Sequence, residues 1–191
     1  NMLDQAHKDR AKDLLNQGRL EDARTTLAEI CRPDQRDIEI WALYITANGH
    51  LGRFEDVISA SQKALEIEKD YLPALNSLAS ALAALKRYDE AAVKFATLLQ
   101  LAPDNPAILN NYGHTLFLMG RQADARSVLE NAVRVQPYYA EAHYNLALAY
   151  AAKGAVDKEI SEYEKALAIN PDLSEARANL SLAVKTARGT R

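Results

Sequence analysis

Cysteine is nearly absent from this sequence. Cys31 stands alone, so no intramolecular disulfide can form and cysteine usage names no redox compartment. A reactive thiol would need a base or cation on its own helical face. Arg32 follows directly, but adjacent residues point to different faces, so Cys31 reads as a small apolar residue of a helix. Long apolar runs are lacking too. None approaches the roughly 18 to 20 residues that span a bilayer, and no charged-then-apolar leader opens the chain. A soluble protein is expected, without direct membrane insertion and with the cytoplasm as the favoured compartment. The opening Asn1-Met2 is what a tagged or trimmed chain would show, so an earlier targeting segment is compatible with it. Glycine and proline number only 7 and 6 in 191 residues, beside 48% hydrophobic and 26% charged residues. That balance buries a core and excludes disorder.

The elements of enzyme chemistry are missing as well. There is no glycine-rich phosphate loop and no nucleophile motif of the G-x-S-x-G kind. His7, His50, His114 and His143 stand far apart, without the i, i+4 spacing of a helical metal pair or a paired-cysteine motif to assist them. No metal, cofactor or catalytic residue is expected. A net charge of −3, a pI near 5.8 and the lack of a Lys/Arg stripe exclude a nucleic-acid partner.

What the sequence does have is repetition. Pro103, Pro137 and Pro171 are 34 residues apart, and the residues between them recur in the same order. Aligned without gaps, the chain gives five units, 4–37, 38–71, 72–105, 106–139 and 140–173, followed by the segment 174–191. Position 15 of the unit holds Gly18, Gly52, Gly120 and Gly154, with Lys86 the exception. Glycine there accepts a left-handed backbone and ends a helix. Position 8 (Ala11, Ile45, Ala79, Gly113, Ala147) and position 20 (Ala23, Val57, Ala91, Ala125) favour small residues, which let paired helices approach closely.

The most regular unit runs from Ala140 to Pro171, and its Leu146, Ala147, Tyr150, Gly154, Tyr163, Ala166 and Pro171 fall on the signature positions of the tetratricopeptide repeat. The resemblance to that family covers residues 4–191. It implies an all-α, right-handed superhelical solenoid of antiparallel helix pairs, about eleven helices, with a concave groove lined by the first helix of each pair. Departures are local. Only Trp41 stands at the family's tryptophan position, where other units have His7, Leu75, Leu109 and His143; the first two units end in Gln35 and Lys69 rather than proline, and Pro33 sits two residues early.

Family geometry places positions 2, 5, 6, 9, 12 and 13 of each first helix on the concave face, and the 3.6-residue period joins them into one stripe. That stripe carries Asn76, Ser77 and Ser80, then Asn110, Asn111, His114, Phe117 and Leu118, then Tyr144, Asn145 and Leu148, and finally Asn179. Position 6 alone gives Ser77, Asn111, Asn145 and Asn179, which resembles the asparagine ladder of the O-linked N-acetylglucosamine transferase repeats. A carboxamide offers both a donor and an acceptor, the complement of a peptide group. Each such bond contributes about 0.5 to 1.5 kcal/mol, so apolar anchors such as Phe117, Leu118, Tyr144 and Leu148 are needed too. The same asparagines also suit contacts between neighbouring units. The family's carboxylate clamp does not fit: its register falls on Asn76, Ser80, Asn111, Glu141 and Asn145, without the cations of its third unit.

A non-catalytic interaction module binding a peptide segment of a partner protein is therefore expected. The alternatives are a substrate-recruiting repeat domain of a larger enzyme, such as an O-linked glycosyltransferase, and a self-assembling homo-oligomeric scaffold with Tyr138 and Tyr139 as exposed contacts. Two irregularities remain. Glu159 occupies position 20, where a buried carboxylate would need a partner or access to water, and Arg177 of the capping helix is one candidate. Residues 174–191 carry Arg177, Lys185, Arg188 and Arg191 against Glu175, which fits a capping helix whose Leu180, Ala183, Val184 and Ala187 cover unit five while the cations face water.

Overall fold

The computed structural model describes residues 1–189, so Thr190 and Arg191 lie outside the described residues. Those residues form eleven α-helices and no strand. The chain divides into two compact units, Asn1–Leu101 and Ala102–Arg191.

The first unit holds α1 (Met2–Asn16), α2 (Leu20–Ala28), α3 (Ile38–His50), α4 (Phe54–Ile67), α5 (Leu72–Ala84) and α6 (Tyr88–Leu101). Its turns follow from local chemistry. Gly18 and Gly52 close the α1–α2 and α3–α4 turns at φ of 72° and 70°, the left-handed region that costs glycine little. Lys86 takes the same conformation at φ 62° between α5 and α6. The 34-residue register therefore imposes the turn geometry even where the side chain opposes it. Ala11, Ala23, Ala79 and Ala91 are completely buried, as close packing within each pair requires.

The first repeat departs at its end. Helix α2 has 9 residues, whereas α4 has 14. Gln35, which stands at the repeat's proline position, organises the irregular segment that follows. Its amide N–H groups donate to the Ile30 carbonyl at 2.9 Å and to Asp4 at 3.3 Å, and its side-chain oxygen accepts from the Asp37 N–H at 3.0 Å. The Gln35 carbonyl accepts the Trp41 indole N–H at 3.1 Å. Arg32 forks onto Asp4 with two bonds of 3.0 Å and holds its carboxyl down at about 2. Desolvation pushes the Cys31 thiol up to about 12, which leaves it a poor nucleophile.

The second unit holds α7 (Pro106–Leu118), α8 (Gln122–Val135), α9 (Ala140–Lys153), α10 (Val156–Ile169) and α11 (Ser174–Gly189). Asn105 caps α7 by accepting from the Ala107 and Ile108 N–H groups, and Pro106 opens that helix where a missing N–H costs nothing. Gly113 faces Leu129 so closely that an added Cβ would lie 2.5 Å from its Cγ. Tyr163, Leu116, Leu129 and Leu146 form the large buried side chains. On α11, Ala176 and Ala183 are buried, Leu180, Val184 and Ala187 are half-buried, and Arg177, Lys185 and Arg188 are exposed.

His143 stands where a tryptophan fills the second repeat and reproduces one of its bonds. Its Nε2 lies 2.7 Å from the Pro137 carbonyl, six residues upstream, the same separation that joins Trp41 to Gln35. A carbonyl only accepts, so Nε2 donates. Its Nδ1 meets the Glu162 carboxylate at 2.5 Å, and Lys165 donates to the other Glu162 oxygen at 2.9 Å.

Candidate protein-binding face

Asn76, Ser77 and Ser80 lie on α5 in the first unit, where they border a depression of 390 Å³ together with Thr46, Gly49 and His50. The Asn76 side-chain oxygen is buried there without a hydrogen-bond partner. The neighbours Thr46, Gly49 and His50 belong to α3 and hold positions 9, 12 and 13 of the second unit, which the concave-face rule covers although the named stripe begins at Asn76. Gly49 has open space where a Cβ would stand, its nearest atom being a Val57 methyl at 4.0 Å.

The other sequence-derived residues lie in the second unit, and they divide by function. Asn145 and Asn110 are only 9% and 6% exposed, and the Asn145 amide donates to the Asn110 side-chain oxygen at 2.9 Å. Asn110 in turn donates to the Tyr139 hydroxyl at 3.4 Å. Burial raises the pKa of the Tyr144 and Tyr163 hydroxyls, and a hydrogen bond with the Asn179 side chain opposes that rise in each. Position 6 of one helix thus reaches position 5 of the preceding first helix twice, from Asn145 to Asn110 and from Asn179 to Tyr144. These two asparagines join neighbouring repeats.

What stays open is Asn111, His114, Phe117, Leu118, Tyr144 and Leu148. Leu118 is 45% exposed at the end of α7, and the other five are half-buried. His114 keeps a buried Nδ1 without a partner. Desolvation lowers its pKa, opposed by a bond with the Asn145 side chain, so the ring is neutral near pH 7. Tyr144 stacks obliquely on the buried Tyr163, with centroids 6.0 Å apart, and its hydroxyl reaches Glu175 at 3.5 Å. The face therefore offers apolar contact area with neutral donors and acceptors.

Arg177 does not pair with Glu159. It donates instead to the Pro171 carbonyl just ahead of its own helix, so Glu159 keeps no ion-pair partner among the described residues. Tyr138 is 81% exposed, as expected for the loop before α9, whereas Tyr139 is half-buried and bonded to Asn110. No group of acidic, histidine and cysteine side chains able to hold a metal ion occurs among the described residues, and no described helix is long and apolar enough to cross a membrane.

Comparison with known proteins agrees with this architecture. Solved structures with the same fold include residues 41 to the end of MamA from Desulfovibrio magneticus RS-1, with a TM-score of 0.79 at 17% identity over 91% of this chain and 98% of that one. A thermophilic TPR protein of Thermus thermophilus gives 0.76 at 20% identity, over 95% and 98% of the two chains. MamA of strain AMB-1 gives 0.72 at 18% identity, over 86% and 98%. At such identities the likeness is one of fold, that of tetratricopeptide solenoids. No curated protein matches the chain in sequence. A family model for the tetratricopeptide repeat matches residues 51–106 and 113–174, and a second matches 82–132. With that match over more than half of its length, beside the paired helices and left-handed turns, the chain belongs to the tetratricopeptide repeat family.

Proposed function

We propose that the chain is a non-catalytic protein-interaction module that holds a segment of a partner protein against the first-helix face of its second unit. The observation that carries this reading is the exposed Leu118 and half-buried Phe117 on α7 with half-buried Tyr144 and Leu148 on α9, together with the half-buried carboxamide of Asn111. Apolar anchors supply contact energy, and the neutral polar groups match a peptide backbone. Asn145 supports the face from beneath through its bond to Asn110.

Partner capture from a lysate of the source cells tests this, comparing wild type with Leu118→Asp and Asn111→Ala. The expected outcome is that Leu118→Asp abolishes capture and Asn111→Ala reduces it severalfold, with circular dichroism and melting temperature unchanged. A partner retained equally by all three proteins would sink the proposal.

A further inference from the structure

Glu159 breaks the repeat in a way the fold does not use. Position 20 is Val57, Ala91 and Ala125 in the three preceding units, all 3% exposed or less. In the last unit that site carries a carboxylate on the first turn of α10. Helix-dipole stabilisation does not require it, because Asp157 already places an acid in that turn, as Glu55 does in α4 and Asp89 in α6.

The carboxylate borders a groove of 710 Å³ whose apolar wall is made by Ala151, Val156, Leu182 and Ala183. Leu182, one repeat beyond Leu148 in the register, is 65% exposed. Lys158 also lines the groove, but its ammonium sits 5.5 Å from the Tyr150 ring centroid in a cation–π contact. Arg177 is tied to the Pro171 carbonyl. Desolvation raises the Glu159 pKa, the mark of a carboxylate without a compensating charge.

We propose that this groove is a subsite for a basic side chain of the bound partner, with Glu159 receiving the lysine ammonium or arginine guanidinium and Leu182 and Ala183 packing its methylene stem. Long basic side chains have this amphipathic form. Glu159 and Asp157 outweigh Lys158 among the lining charges, so the groove attracts a cation and repels an acidic residue. The inference rests on the first-helix face being the partner-binding face and adds a basic residue to what the partner must carry.

The test uses the whole chain and single-residue probes: the N-acetyl methylamides of lysine, arginine, norleucine and glutamate, titrated into 15N-labelled protein. The lysine and arginine probes are expected to shift the Glu159, Leu182 and Ala183 amides with saturation in the millimolar range. Norleucine, which keeps the stem and lacks the charge, should bind about tenfold more weakly. Glutamate should not bind. Glu159→Gln should remove the difference between lysine and norleucine, and Glu159→Ala should do so with an equal or higher melting temperature, since three earlier units pack a small apolar residue there. Equal binding of lysine and norleucine to wild type, or lysine binding that survives Glu159→Gln, overturns the proposal. Leu118→Asp separates the two readings. The single-residue probes do not reach Leu118, so their binding tests the subsite whether or not partner capture depends on that residue.

Discussion

Asn145 donates to the side-chain oxygen of Asn110 at 2.9 Å, and both are buried. The pair turns what reads in sequence as a ligand-binding row into a seam between adjacent first helices. Asn111, at the same repeat position as Asn145, stays on the open side.

Their substitutions should therefore separate. Asn145→Ala strands a buried acceptor on Asn110 and is expected to cost about 1 to 3 kcal/mol. Asn111→Ala should stay within about 0.5 kcal/mol. Urea denaturation of the two variants decides the matter; equal losses would mean that the seam contributes nothing.

Lys86 supplies a turn that glycine makes elsewhere. Its φ of 62° strains a side chain with a Cβ. Lys86→Gly should raise stability by about 1 kcal/mol. A melting temperature that falls would show that the lysine side chain has a stabilising role.

Two helical glycines predict opposite signs. Gly113→Ala drives a methyl to within 2.5 Å of Leu129 Cγ and should destabilise by about 1 to 3 kcal/mol despite alanine's better helix propensity. Gly49→Ala meets nothing nearer than 4.0 Å and should gain up to about 1 kcal/mol. Thermal unfolding of both variants is the check, and a shared sign would contradict the packing argument.

His7 and His114 should titrate on either side of an ordinary histidine. His7 is raised by its bond to the Leu3 carbonyl and then by Glu29, so its contribution to stability is full below the unfolded pKa and is lost as pH rises through the folded one. His114 is lowered by desolvation, so the unfolded chain binds its proton first and stability falls as pH drops below about 6.5. Ring-proton NMR titration should show the His7 midpoint above that of His114; the reverse order would refute both environments.

Much of the fold was legible because its determinants are local. The 34-residue spacing, the turn glycines and the small residues at positions 8 and 20 act within one helix pair, so the chain order of these residues sets the pairing without knowledge of the rest. Gln35 was harder to read. Nothing in its local pattern says that one side chain would bond Ile30, Asp4 and Asp37 in place of a proline.

The proposed face was only half legible. Repeat position places a side chain near the edge between groove and seam but does not fix its neighbour: Asn111 and Asn145 share position 6, yet only Asn145 is buried against Asn110. Sequence alone determined that this protein is a stack of paired helices and which residues fall near that edge. The tertiary structure decided which side of it each one takes. The spacing of neighbouring helices brings Asn145 onto Asn110, and the Pro171 carbonyl draws Arg177 away from Glu159. The first of these distances joins segments a full repeat apart, the second depends on how the last helix leaves its loop, and no local rule fixes either.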